Sequence, residues 1–205
     1  MTTLLLVRHA ETDAVGKSVS GWVPGWHLNA QGRQQAAELA SALERLPIRA
    51  VYTSPLERAA ETAEAVARKL GLGPEPCEEL GELRFGEWEG LSIEELDRRE
   101  DWRSFNTYRS GVRPPGGESM LEVQARMMRW LGCAVKRHAD EMIAAVSHGD
   151  PLRAVVSYCL GAPLDLVHRF EIMPASVSVL EMGESEPPRL LCLNHLCANP
   201  GRLPL

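Results

Sequence analysis

Residues 3–12 read TLLLVRHAET. Leu4 to Val7 form an apolar run too short for a helix of ordinary length and lacking the alternation of a half-exposed strand. Such a run suits a strand buried on both faces of a parallel sheet. It stops at Arg8 and His9, two polar side chains carried directly off a buried strand. The same design recurs twice: Ala50 to Thr53 leads into SPLER, and Met142 to Val146 leads into SHGD. Two further strands are expected at Ser176 to Glu181 and Leu190 to His195.

Helical segments separate these strands. Asn29 is placed to cap a helix with apolar positions Ala36, Leu39, Ala40, Leu43 and Leu46. Ser54, Pro55 and Glu57 read as N-cap, first residue and third residue of a capping box, with Gly71 ending the helix. Ser92 with Glu95 and Ser119 with Glu122 read as two more boxes. The last opens a helix to about His138, with Leu121, Met128, Leu131 and Val135 expected inward. Pro151 is expected at the first position of a helix that reaches Leu160. Residues 13–28, with Gly16, Gly21, Pro24 and Gly25, read as a loop. The alternation of strands and helices predicts an α/β layered fold with a largely parallel sheet, whose site collects at the carboxyl ends of strands.

Composition restricts the function. The chain has 205 residues, 44% of them hydrophobic and 24% charged, which suits one domain over 1–205. A net charge of -6 argues against a nucleic-acid partner, and it admits a small anionic substrate only where positive charge is gathered locally. Arg8 interrupts the first apolar run before signal-peptide length, and no stretch approaches the roughly 18 apolar residues of a membrane span. The expectation is a cytoplasmic protein without membrane contact; a homodimer is compatible with it. Five cysteines without repeating spacing do not form a disulfide framework. Cys192, His195 and Cys197 superficially resemble metal ligands, but a regular strand turns Cys192 away from the other two. No metal and no cofactor is expected.

Each chemistry-bearing residue has a plainer reading beside the functional one. Arg8 can pair with Glu11 while His9 packs as a neutral ring. Arg58 sits in a helix's first turn, where a cation opposes the helix dipole unless an anion is near; the alternative is an exposed pair with Glu57 or Glu61. His148 precedes a helix start at Gly149, whose free N–H groups suit an anion, or it is a turn histidine bonded to backbone. Glu82, Glu87 and Glu89 compete as the acid or base within LGELRFGEWEG. Taken together, two arginines, two histidines and a carboxyl at strand ends suit a phosphomonoester. Guanidinium forks match phosphate oxygens, a neutral imidazole attacks phosphorus, and a carboxylic acid protonates the leaving oxygen.

LVRHAET, TSPLERAAET, GELRFGEWEG and VSHGDPLR resemble, in order, four signature segments of the histidine phosphatase (phosphoglycerate-mutase-like) superfamily. The resemblance implies a three-layer α/β/α sandwich with a mostly parallel central sheet. It implies His9 as nucleophile, Arg8, Arg58 and His148 as phosphate binders, and Glu82 as proton donor. It also places Ser20, Gly21 and Gly149 against a small phosphorylated metabolite. Ala10 stands where the family often has glycine, and Val15 where it often has asparagine.

Both branches of such a family begin by phosphorylating the histidine. Leu83 occupies the place of a mutase arginine, and Trp102-Arg103-Ser104 lacks the adjacent arginines of mutases, which favours a phosphatase. Ser20-Gly21-Trp22 resembles the mutase loop. Specificity is expected from residues 13–28 and from a lid segment at 97–117, where Trp22, Trp26, Trp102, Phe105 and Tyr108 offer aromatic surface.

Overall fold

The computed structural model describes residues 1–197. Strand β1 (Thr2–Arg8) lies inside a six-stranded sheet, parallel to β4 (Met142–Ser147) and antiparallel to β5 (Ser176–Met182). The full order is β3 (Pro74–Pro76), β2 (Ile48–Thr53), β4, β1, β5 and β6 (Arg189–Leu196). The four strands from β3 to β1 are mutually parallel, and only β5 and β6 run against them.

Side chains of β1 alternate between two cores, as a strand covered on both faces requires. Leu5 and Val7 pack with Ala144 and Val146 of β4 beneath α1 (Ala30–Leu43) and α2 (Glu57–Leu70). Leu4 and Leu6 face the other way, toward α5 (Met120–Arg137) and α6 (Gly149–Leu160). Helices thus cover both sides of one sheet, which is the expected three-layer sandwich. Among the described residues, no helix is long and apolar enough to cross a membrane.

Asn29 caps α1, and complete capping boxes open α5 and the short α3 (Ile93–Asp97). The box expected at Ser54 does not form: α2 begins at Glu57 after Leu56, with no side-chain cap. Ser54 accepts instead from the Leu56 N–H, and its hydroxyl meets His148. Helix α6 starts two residues before Pro151, within the first turn where no N–H partner is lost. Leu121 faces solvent, since Met120, Val123, Met127, Trp130 and Ala134 carry the buried stripe one position away.

Two features carry no clear pattern in the sequence. Strand β3 is three residues long with two prolines, and α4 (Glu100–Thr107) has only Trp102 and Phe105 to bury. The face assignment in the last strand also needs correction. Cys192 and Cys197 both pack toward the α1–α2 core, because register shifts in β6 and the left-handed Asn194 (φ 57°) break the alternation.

Candidate active site

The parallel register Arg8↔Ser147 sets the ends of β1 and β4 side by side, and the Ser54 N–H bonds to the Val146 carbonyl beside them. Three strand ends therefore deliver Arg8-His9, Ser54 and His148 to one place. A cavity of about 260 Å³ opens there. Arg8, His9, Ser20, Gly21, Glu82 and Gly149 line it, and Arg58 and His148 stand against the same cluster.

His9 is 4% exposed, and its Nδ1 lies 2.7 Å from the Ala10 carbonyl oxygen. A carbonyl only accepts, so Nδ1 carries the proton and Nε2 keeps the free lone pair. Burial, then Arg58 and Arg8, hold the ring well below the ordinary histidine pKa, so it is neutral at pH 7. The Ala10 N–H donates to Thr62 Oγ1, which donates to the Arg58 carbonyl. That chain ties the His9 turn to the start of α2.

Arg58 is fully buried rather than exposed and paired with Glu57 or Glu61. Its Nη2 donates to the Gly21 carbonyl at 2.9 Å, while Nε and Nη1 have no protein partner. Arg8 does not pair with Glu11; its Nη1 donates to the Ile172 carbonyl at 2.6 Å, and Nε is unpartnered. Buried guanidinium nitrogens without partners are costly unless an anion meets them, so the buried Arg58 and the half-buried Arg8 both call for one.

His148 caps α6 and sits with Nε2 2.7 Å from Ser54 Oγ. Ser54 is fully buried and its hydroxyl has no other acceptor among the described residues, so it donates to Nε2, leaving His148 Nδ1–H as a buried donor without a protein partner. Burial, Arg58 and His9 keep this ring neutral as well.

Geometry separates the three competing carboxyls. Glu87 is exposed, and Glu89 accepts from the Phe85 N–H while packing against Gly21. Glu82 alone of the three lines the cavity. Its carbonyl is pinned by Trp22 Nε1 at 2.7 Å and Arg126 Nη2 at 3.1 Å, and its Oε1 accepts from the Leu83 N–H. Burial, then the charge of Asp150, raise the Glu82 pKa to about 7.

These geometric relations accompany a family match. The model of the histidine phosphatase superfamily (branch 1) matches residues 4–195. The chain belongs to the histidine phosphatase superfamily. Among its histidine phosphatase relatives is "Phosphoserine phosphatase 1" of Hydrogenobacter thermophilus, 34% identical over 90% of this chain and 88% of that protein. "Probable phosphoglycerate mutase GpmB" of Escherichia fergusonii is 33% identical over 91% of this chain and 87% of its own length. Among solved structures, YhfR of Bacillus stearothermophilus superposes with a TM-score of 0.88 at 30% identity, covering 95% of this chain and 97% of that one.

The cavity also has walls that sequence reasoning missed. Asn106, Arg109, Asp150, Arg153 and His168 line it. Asp150 and Arg153 lie inside the VSHGDPLR segment, and so were within reach of the motif. Arg109 and His168 belong to no pattern in the sequence. Of the aromatics, Trp102 lines the cavity above fully buried Phe105. Trp22 lies under the Arg84 guanidinium, and Tyr108 faces a separate surface groove with Arg103. Among the described residues, no three His, Cys, Asp or Glu side chains are arranged to hold a metal ion.

Proposed function

We propose that this protein is a phosphatase that hydrolyses a small phosphomonoester in two steps through a phosphohistidine on His9. The observation that carries the reading is the His9 ring, neutral, with Nε2 free, beside the buried Arg58 and the half-buried Arg8. In the first step Nε2 forms the N–P bond as the ester P–O bond breaks, and protonated Glu82 gives its proton to the leaving oxygen. In the second, a water attacks phosphorus, Glu82 takes its proton, and the P–N bond breaks to restore His9. Arg8, Arg58, His148 Nδ1–H and the Gly149 N–H at the start of α6 receive the phosphoryl oxygens throughout. Ser20 and Gly21 close one wall.

Several observations favour water over a mutase return step. Leu83 is fully buried in the core and cannot meet a substrate. Arg84 stacks at 3.8 Å on Trp22, and Arg103 donates to the Asp97 carbonyl on the surface, so neither lines the cavity. The similarity to a protein named as a phosphatase supports the same side. The segment at 97–117 supplies Trp102, Asn106 and Arg109 to the cavity, which supports its role in specificity. A cavity below the ~300 Å³ of drug-sized sites suits a small metabolite.

The test is the fate of the phosphoryl group. Labelled substrate quenched in base should show acid-labile label in the wild type and none in His9→Ala. With 3-phosphoglycerate and bisphosphoglycerate, rapid formation of 2-phosphoglycerate without inorganic phosphate would establish a mutase and defeat the reading.

A further inference from the structure

The cavity lining also holds charges that the proposed phosphoryl transfer does not use. Arg109 is 3% exposed and firmly held: Nη1 donates to Asp150 at 2.8 Å, Nη2 to Asn106 at 2.8 Å, and the guanidinium lies 4.2 Å over Phe105. Arg153 is held loosely. Its Nη1 is 3.5 Å from Asp150, its Nη2 is 3.3 Å from the largely exposed Glu171, and its Nε is buried without a partner. Arg153 also approaches the phosphate end: a side chain built on Gly149 would meet Arg8 at 3.6 Å and Arg153 Nη1 at 3.7 Å. A guanidinium on long contacts, beside the catalytic arginine, exchanges its partners at little cost.

Charge balance indicates what it receives. Arg8, Arg109 and Arg153 line the cavity and Arg58 stands against it, opposed on the wall by the single ionised carboxylate of Asp150 when Glu82 holds its proton. A dianionic phosphoryl group cancels two of the three excess positive charges. One remains, and Arg109 and Arg153 of the lining have no part in the proposed phosphoryl transfer. Asp150 does not repel an anion there, since Arg109 already neutralises it at 2.8 Å. The one remaining charge matches a carboxylate and falls short of the two that a second dianionic phosphoryl group, as in a bisphosphorylated intermediate, would bring.

We infer that Arg153, braced by the Arg109–Asp150 pair, binds a carboxylate on the leaving group, so that the substrates are phosphate monoesters of small hydroxy-carboxylic acids. The inference rests on the phosphatase reading and narrows it to a substrate class. Arg153 touches the part of the substrate that does not react, and therefore sets specificity rather than chemistry.

Matched esters test it: O-phosphoserine against phosphoethanolamine, and 3-phosphoglycerate against glycerol 3-phosphate, each assayed for phosphate release. The wild type should favour the carboxylated member of each pair in kcat/KM by about 10- to 100-fold, the range of a charge-assisted hydrogen bond. In Arg153→Gln that ratio should collapse, and in Arg153→Lys it should recover in part. A general folding or catalytic defect lowers both members and leaves the ratio standing. Equal rates within each pair in the wild type, or a ratio that survives Arg153→Gln, would overturn the inference. Calorimetric binding of the same pairs to His9→Ala, with and without Arg153→Gln, reads the subsite without turnover. It decides the inference even if no ester is hydrolysed, an outcome that would defeat only the phosphatase reading.

Discussion

The rings of His9 and His148 lie with centroids 5.1 Å apart and planes tilted by 58°. Neither has a carboxylate partner: His9 Nδ1 is held by a backbone carbonyl and His148 Nε2 by the Ser54 hydroxyl. Each ring is therefore neutral, and each has one nitrogen left for the substrate. His9 offers a lone pair and His148 a proton.

That division of roles predicts unequal tolerance to substitution. His148→Ala removes one N–H donor from the phosphoryl group and should lower kcat about 10²- to 10³-fold, as for other lost transition-state donors. His148→Asn keeps an N–H close to the Nδ1 position and should recover part of the loss. No amide can replace a nucleophile, so His9→Asn should be as inactive as His9→Ala. Steady-state kinetics on an aryl phosphate measures all four variants. Equal loss in His148→Asn and His148→Ala would remove the donor role from Nδ1.

In the proposed reaction Glu82 is protonated for the first step and ionised for the second, and a pKa of about 7 permits both near neutrality. An alkyl phosphate needs the acid, so its single-turnover phosphorylation rate should fall as pH rises above about 7. Nitrophenolate leaves without help, so turnover of nitrophenyl phosphate should instead be limited by dephosphorylation and rise through the same range. Glu82→Gln should flatten both profiles. It should slow the nitrophenolate burst much less than the steady state, and equal slowing of the two would argue against an acid–base role.

The residues around His9 are better marked in the sequence than Arg109 and His168 of the same cavity, for a physical reason. Strand ends are marked locally: a buried apolar run must stop, and that stop places the polar residues of RHAET and SHGD directly beyond it. Arg109 has no such marker, because the residue that defines it, Asp150, is 41 positions away. Ser54 shows the opposite error. Its spacing to Glu57 suits a capping box, yet its hydroxyl serves a histidine 94 residues later. Local patterns register which atoms can bond, whereas the tertiary fold decides which of them do.

Arg58 and Arg8 together present three buried guanidinium nitrogens without protein partners. An anion that binds only the folded state should therefore stabilise it. Inorganic phosphate at 100 times its dissociation constant would add about 2.7 kcal/mol, or roughly 5 to 10 °C in Tm for a domain of this size. Chloride at matched ionic strength should do much less, and Arg58→Ala should lose most of the phosphate-specific shift. A shift of the same size in Arg58→Ala would mean that phosphate binds elsewhere.

The same environment that readies Glu82 for proton transfer should make it a stability liability at alkaline pH. Its folded pKa of about 7 lies above the ordinary value of 4.5, so the folded state holds the proton more tightly than the unfolded chain. The stabilisation this provides is complete below about 4.5 and is lost progressively as pH rises to about 7, above which the half-buried carboxylate is charged at a cost. Glutamine has nearly the same shape and cannot ionise. Glu82→Gln should therefore match the wild type in Tm near pH 4.5, gain on it between about pH 5 and about 7, and hold that lead at about pH 8. Thermal unfolding across this range, in buffers without phosphate, gives the difference directly. A lead that is constant with pH would trace to packing or hydrogen bonding alone, and a lead that shrinks with rising pH would mean that Glu82 is stabilised as its anion, which would deprive it of the proton the first step requires.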